Sequence, residues 1–81
     1  MINDKSEAEA RLERLLGYLD QDRDNLSLAT DCAEAALEAD RIELAYQILA
    51  PFDASDVLDA RGRNLAGLAA MRHGDQVVAH L

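Results

Sequence analysis

Apolar and small residues recur along this chain at helical spacing. In residues 25–51 they fall at Leu26, Ala29, Cys32, Ala33, Ala36 and Leu37, then at Ile42, Ala45, Tyr46 and Leu49. Both sets follow the i, i+3, i+4, i+7 rhythm of a helix face. The pattern predicts two helices joined by a tight corner. Asp40 is placed to cap the second, with Glu43 completing a capping box, and Pro51 to end it. Upstream, Ser6 and Glu9 form a second box signature, opening a helix whose stripe is Ala8, Leu12, Leu15, Leu16 and Leu19. Gly17 interrupts that helix at a cost of roughly 1 kcal/mol against alanine. Residues 20–25 read as a polar turn in which Asp24 or Asn25 caps the next helix. Downstream, residues 52–55 form a short connection with Phe52 folded back as a plug. Ser55 or Asp56 then caps a fourth helix running to His73, with the stripe Leu58, Gly62, Leu65, Ala66 and Ala69. Gly74 is placed to end it in a left-handed cap. Asp75 opens a fifth helix over residues 76–81, with Val77, Val78 and Leu81 on its apolar face.

A period runs through the chain. Displaced by 34 positions, Cys32 falls on Ala66, Ala33 on Gly67, Ala36 on Ala70, Leu37 on Met71, Asp40 on Gly74 and Ala45 on Ala79. Displaced the other way, Leu49 falls on Leu15 and Tyr46 on Leu12. Ala33 and Gly67 occupy mid-helix positions where a tiny side chain lets another helix approach, and Ala45 and Ala79 repeat this in the following helix. On these residues the chain resembles a tetratricopeptide repeat (TPR) array, a helix-turn-helix unit of about 34 residues. The resemblance implies an all-α fold of antiparallel hairpins stacked as a short right-handed solenoid of about five helices. Its parts are a disordered terminus at 1–5 and a repeat domain at 6–81. That domain comprises a partial repeat at 6–20, a full one at 25–50 and a truncated one at 56–81. The departures are Arg23 where the family often has proline, Pro51 about seven residues early, and Arg63 at an apolar position. A plain four- or five-helix bundle is the alternative architecture, closing on itself where a solenoid stacks neighbours only.

Composition narrows the uses. The 81 residues carry a net charge of −8, which argues against nucleic acid and against an anionic membrane surface. One cysteine excludes an internal disulfide and points to a cytoplasmic protein. The first ten residues hold no secretory signal, and no apolar run approaches the roughly 18 residues of a membrane span. Charge is divided unevenly: residues 1–59 hold five basic and fifteen acidic groups, and residues 60–81 hold three basic and one acidic. That division suits head-to-tail contact between copies, or contact between the fourth and second helices.

Catalytic chemistry finds little support. Cys32 lies on a packing face with no histidine near it in sequence, so it reads as a buried apolar residue. His73 and His80 are separated by Gly74, which argues against a metal pair, and His73 reads as a helix C-terminal group. The acids Asp31, Glu34, Glu38 and those of residues 20–24 lie on polar faces with nothing to desolvate them. No phosphate loop or calcium loop is present. No catalytic, cofactor-binding or metal residue is assigned.

What remains is recognition. The TPR resemblance implies a groove lined by the first helix of each repeat. That places Ser27, Thr30, Glu34, Leu37 and Glu38 beside Arg61, Asn64, Leu68, Met71 and Arg72, with Leu37, Leu68 and Met71 either a peptide-binding floor or ordinary rim packing. The lysine and asparagine pattern that some family members use to clamp a terminal carboxylate is absent. The expected role is a non-catalytic scaffold binding protein or peptide. The alternative is an accessory or dimerisation segment of a larger enzyme whose active site lies elsewhere. A core this small supplies only roughly 3–5 kcal/mol alone. The chain therefore reads as part of a longer array, or as one that self-associates through Val77, Val78 and Leu81.

Overall fold

A computed structural model describes residues 4–79, with side chains from 7 to 78. Four helices follow one another: α1 (Asp4–Gln21), α2 (Leu26–Glu38), α3 (Ile42–Ala54) and α4 (Ala60–Ala79). Among the described residues there are four helices rather than the five that the spacing predicts. Gly74 lies inside α4, where it keeps a negative φ. Continuing one helix retains backbone hydrogen bonds that a six-residue fold-back would forfeit for little burial. Leu81 and His80 lie outside the described residues.

The ends of the helices are set by aspartate and asparagine. Asn25 caps α2, its side-chain oxygen accepting from the Leu28 N–H at 3.0 Å. At the other end Asp40 takes the left-handed conformation, with φ 61°. Its N–H donates to the Leu37 carbonyl at 3.1 Å, and the Arg41 N–H donates to that of Ala36 at 2.7 Å. This is a Schellman closure with aspartate in the position glycine usually takes. Asp40 therefore ends α2, and the N-cap position of α3 is held by Arg41, whose side chain makes no cap hydrogen bond. The same device closes α3. Asp56 has φ 56°, its N–H donates to the Asp53 carbonyl, and the Val57 N–H to that of Phe52.

Pro51 does not end α3, which runs on to Ala54. Proline has a helical φ and removes one backbone donor. The burial of Ile42, Ala45 and Leu49 carries the helix past that loss, with Phe52 half-buried one residue beyond the proline. Phe52 is thus a helix residue and not a plug in a connection. Asp59, neither Ser55 nor Asp56, caps α4, accepting from the Gly62 N–H at 2.8 Å. Leu58 folds back over this first turn, where a Cβ on Gly62 would come within 3.0 Å of its Cδ2. Ser6 lies inside the first turns of α1, which begins at Asp4.

The core forms around α2. Ala29, Cys32, Ala33, Ala35, Ala36 and Ala39 are wholly buried, so their small side chains admit neighbours on several faces. Helix α1 brings Ala8 and Leu12, α3 brings Ile42, Ala45 and Leu49, and α4 brings Ala69. Burying a leucine such as Leu12 or Leu49 is worth roughly 1.5–3 kcal/mol. Helix α2 touches α1, α3 and α4, and α3 also touches α4. Among the described residues no Cα of α1 lies within 8 Å of α3 or α4. The result is a flattened body of 39 × 34 × 20 Å. Gly67 faces open space, with nothing within 4 Å of a Cβ placed there. Among the described residues no separate helix lies against it, because residues 76–79 prolong α4.

Candidate functional site

One face of α2 carries Asp31, Glu34 and Glu38, spaced three and four residues apart so that they form a single acidic row. An arginine flanks this row on each side. Arg11 of α1 donates to Glu34 at 3.3 Å and to Glu38 at 3.4 Å. Arg61 of α4 donates to Glu34 at 2.9 Å and pairs with Asp31 at 3.0 Å. Glu34 thus holds both arginines and ties α1, α2 and α4 together. The Arg61 hydrogen bond holds its carboxyl below the usual carboxylate range, helped by Arg11 and opposed by burial. Reciprocally, Glu34 and then Asp31 raise the Arg61 pKa.

Beyond these pairs, Glu34, Leu37, Glu38, Leu65, Leu68 and Arg72 line a cleft of about 390 Å³ between α2 and α4. Of the residues assigned to the groove, the structure brings Glu34, Leu37, Glu38, Leu68 and Arg72 together, with Arg61 beside them. Leu65, assigned in sequence to the packing stripe, joins the lining. Thr30 does not: it is 3 % exposed, and its hydroxyl donates to the Leu26 carbonyl at 2.8 Å. That bond satisfies the hydroxyl within its own helix and turns it into the core. Ser27, Asn64 and Met71 are exposed outside the cleft lining.

A larger cleft, of about 930 Å³, opens between the C-terminal halves of α1 and α3. Leu16, Leu19, Ile48, Pro51, Phe52 and Val57 give it an apolar lining, and Gly17 forms part of one wall. Asp20, Arg23, Asp24 and Ser55 stand at its lips. Helical spacing assigns Leu16 and Leu19 to the packing stripe of α1, yet both are only half-buried because this cleft separates α1 from α3. Gly17 was the one available signal: a helix-interior glycine with no packing partner.

The other candidate groups sit elsewhere. Cys32 is wholly buried, and burial first, then Asp31, raises its thiol pKa, with Arg11 opposing. His73 lies within α4 and not at a helix end, its ring stacked on Tyr46 with centroids 4.8 Å apart. Val77 and Val78 are exposed on α4 at 49 % and 68 %. Among the described residues no three His, Cys, Asp or Glu side chains gather as a metal site, and no helix is long and apolar enough to cross a membrane. Comparison with models of known families, with curated proteins and with solved structures returns no match.

Proposed function

We propose that this chain is a TPR-like helical array, cytoplasmic, that binds a protein or peptide and performs no catalysis itself. The observation that supports this most is the order of contact. Each helix packs on the next, α2 also packs on α4, and α1 stays clear of both α3 and α4. A closed bundle brings its first and last helices together, whereas a stacked array does not. Ala33 and Ala45, to which the repeat register assigns helix crossings, are fully buried, which supports the reading. In this reading α2 and α4 are the first helices of successive repeats, and the cleft between them is the peptide groove. Glu34, Leu37, Glu38, Leu68 and Arg72 line it, with Arg61 at its edge and Asn64 and Met71 further along α4. The exposed Val77 and Val78 offer a face to a further helix, supplied by a second copy in a homodimer or by a following repeat.

The groove is tested by affinity capture with mass-spectrometric identification, comparing the wild-type chain with Leu68→Glu. A protein captured by the wild type and lost from the variant, with unfolding temperature unchanged, supports the reading. Equal capture by both removes the groove from it.

A further inference from the structure

The wide cleft between α1 and α3 is distinct from the groove assigned above, and it does not use the α2/α4 face. Its floor is apolar, from Leu16, Ile48 and Phe52 among others. Its charge balance is acidic, with Asp20 and Asp24 against Arg23 in the lining. Helices α1 and α3 both end at it, so the negative ends of two helix dipoles converge there. Neither helix has a basic residue in its last turn to compensate. Around one lip Asp20, in the last turn of α1, and Asp22 and Asp24, in the loop after it, outnumber Arg23, which is paired with Asp20 at 3.0 Å. The chain as a whole carries −8.

Gly17 is the independent observation. An exposed glycine inside a helix costs roughly 1 kcal/mol against alanine. Within this chain nothing explains that cost, because a Cβ at Gly17 would meet no atom within 4 Å. The glycine instead leaves the wall of the cleft open to the backbone, giving an occupant room to approach α1 closely.

We propose that the α1/α3 cleft is a docking site for a segment of another protein that presents apolar anchors flanked by lysine or arginine. The anchors fill the floor between Leu16 and Phe52. The basic groups lie at the acidic lip and against the two helix C-termini. Such a segment matches the cleft in both polarity and sign, and a neutral or acidic apolar segment matches it only in polarity.

The test uses a short fluorescein-labelled amphipathic peptide built only of leucine and lysine, and its counterpart built of leucine and glutamate. Fluorescence anisotropy is read against the full chain at low and high salt. The lysine peptide should bind at least about tenfold more tightly than the glutamate peptide, with the preference reduced by salt. Gly17→Phe should weaken the lysine peptide at least about tenfold by filling the cleft. Its melting temperature should not fall, since phenylalanine is the better helix former. Asp20→Lys/Asp24→Lys should weaken the peptide without altering the fold, and Leu68→Glu, in the other groove, should leave binding unchanged. Equal binding by wild type and Gly17→Phe, equal affinity for the two peptides, or no binding would overturn the proposal. So would sedimentation showing that the wild type self-associates and Gly17→Phe does not, because the occupant would then be a second copy.

Discussion

The Glu34 carboxylate accepts a 2.9 Å hydrogen bond from the Arg61 guanidinium, a contact that joins α2 to α4 across 27 residues of sequence. The other carboxylate oxygen of Glu34 is taken by Arg11, so one side chain reports on the placement of three helices.

That arrangement sets a pH dependence. The folded Glu34 carboxyl titrates below its ordinary value of 4.5. The folded chain therefore takes up its proton later than the unfolded chain as pH falls. The stabilisation is fully present above about pH 4.5 and is lost as pH drops through the lower folded value. Glu34 and its two arginines are largely solvated, so screening keeps the contribution of these pairs small. Glu34→Gln should lower the urea midpoint at pH 7 slightly, with the m-value unchanged. The gap from wild type should close below pH 4.5, as measured by circular dichroism.

The closure of α3 depends on an aspartate held at φ 56°. Asp56→Gly should be more stable than Asp56→Ala by about 1 kcal/mol, because glycine adopts the left-handed conformation without a Cβ clash. The ion pair with Arg63 is exposed and is lost in both variants, so it cancels from the difference. Thermal unfolding of the two variants gives the comparison.

Ala33 and Gly67, related by the 34-residue displacement, should respond in opposite ways. Ala33 is wholly buried between helices, so Ala33→Leu should cost about 1–3 kcal/mol through overpacking. Gly67 faces open space, so Gly67→Ala should gain up to about 1 kcal/mol from helix propensity. Chemical denaturation of both variants checks the pair.

Cys32 should be silent to thiol reagents in the native state. Its sulfur is buried, and the raised pKa leaves little thiolate. Labelling with an aromatic disulfide at pH 8 should be slow for the native chain and fast in urea.

Much of this architecture could be read from the residues. The stripes through Leu12, Ala33, Ala45 and Leu49 mark the buried faces, because helical periodicity reflects burial directly. Asn25 was legible as a cap because its short acceptor reaches the next turn. The boundaries that differ share a cause: packing outweighs a local breaker. Pro51 and Gly74 both sit inside helices, where continuity retains more than each residue costs. The spacing places Asp40 and Asp56 at helix starts. Both instead occupy the left-handed position that ends a helix, one that aspartate tolerates far better than most residues. Thr30 was placed on a groove by register, but its hydroxyl closes onto Leu26 and lets the side chain enter the core. The α1/α3 cleft was not legible, because its walls come from residues 16–24 and 48–57, which no single periodic stripe connects.

The order in which the helices touch is tested most directly by a nuclear Overhauser spectrum of the folded chain, with methyl groups of Ala, Leu, Ile and Val labelled. The account predicts cross-peaks from α1 to α2, from α2 to α3 and α4, and from α3 to α4, with none from α1 to α4. Cross-peaks joining the leucines of α1 to Leu65 or Leu68 of α4 would mean that the helices close around a common centre, and would contradict it.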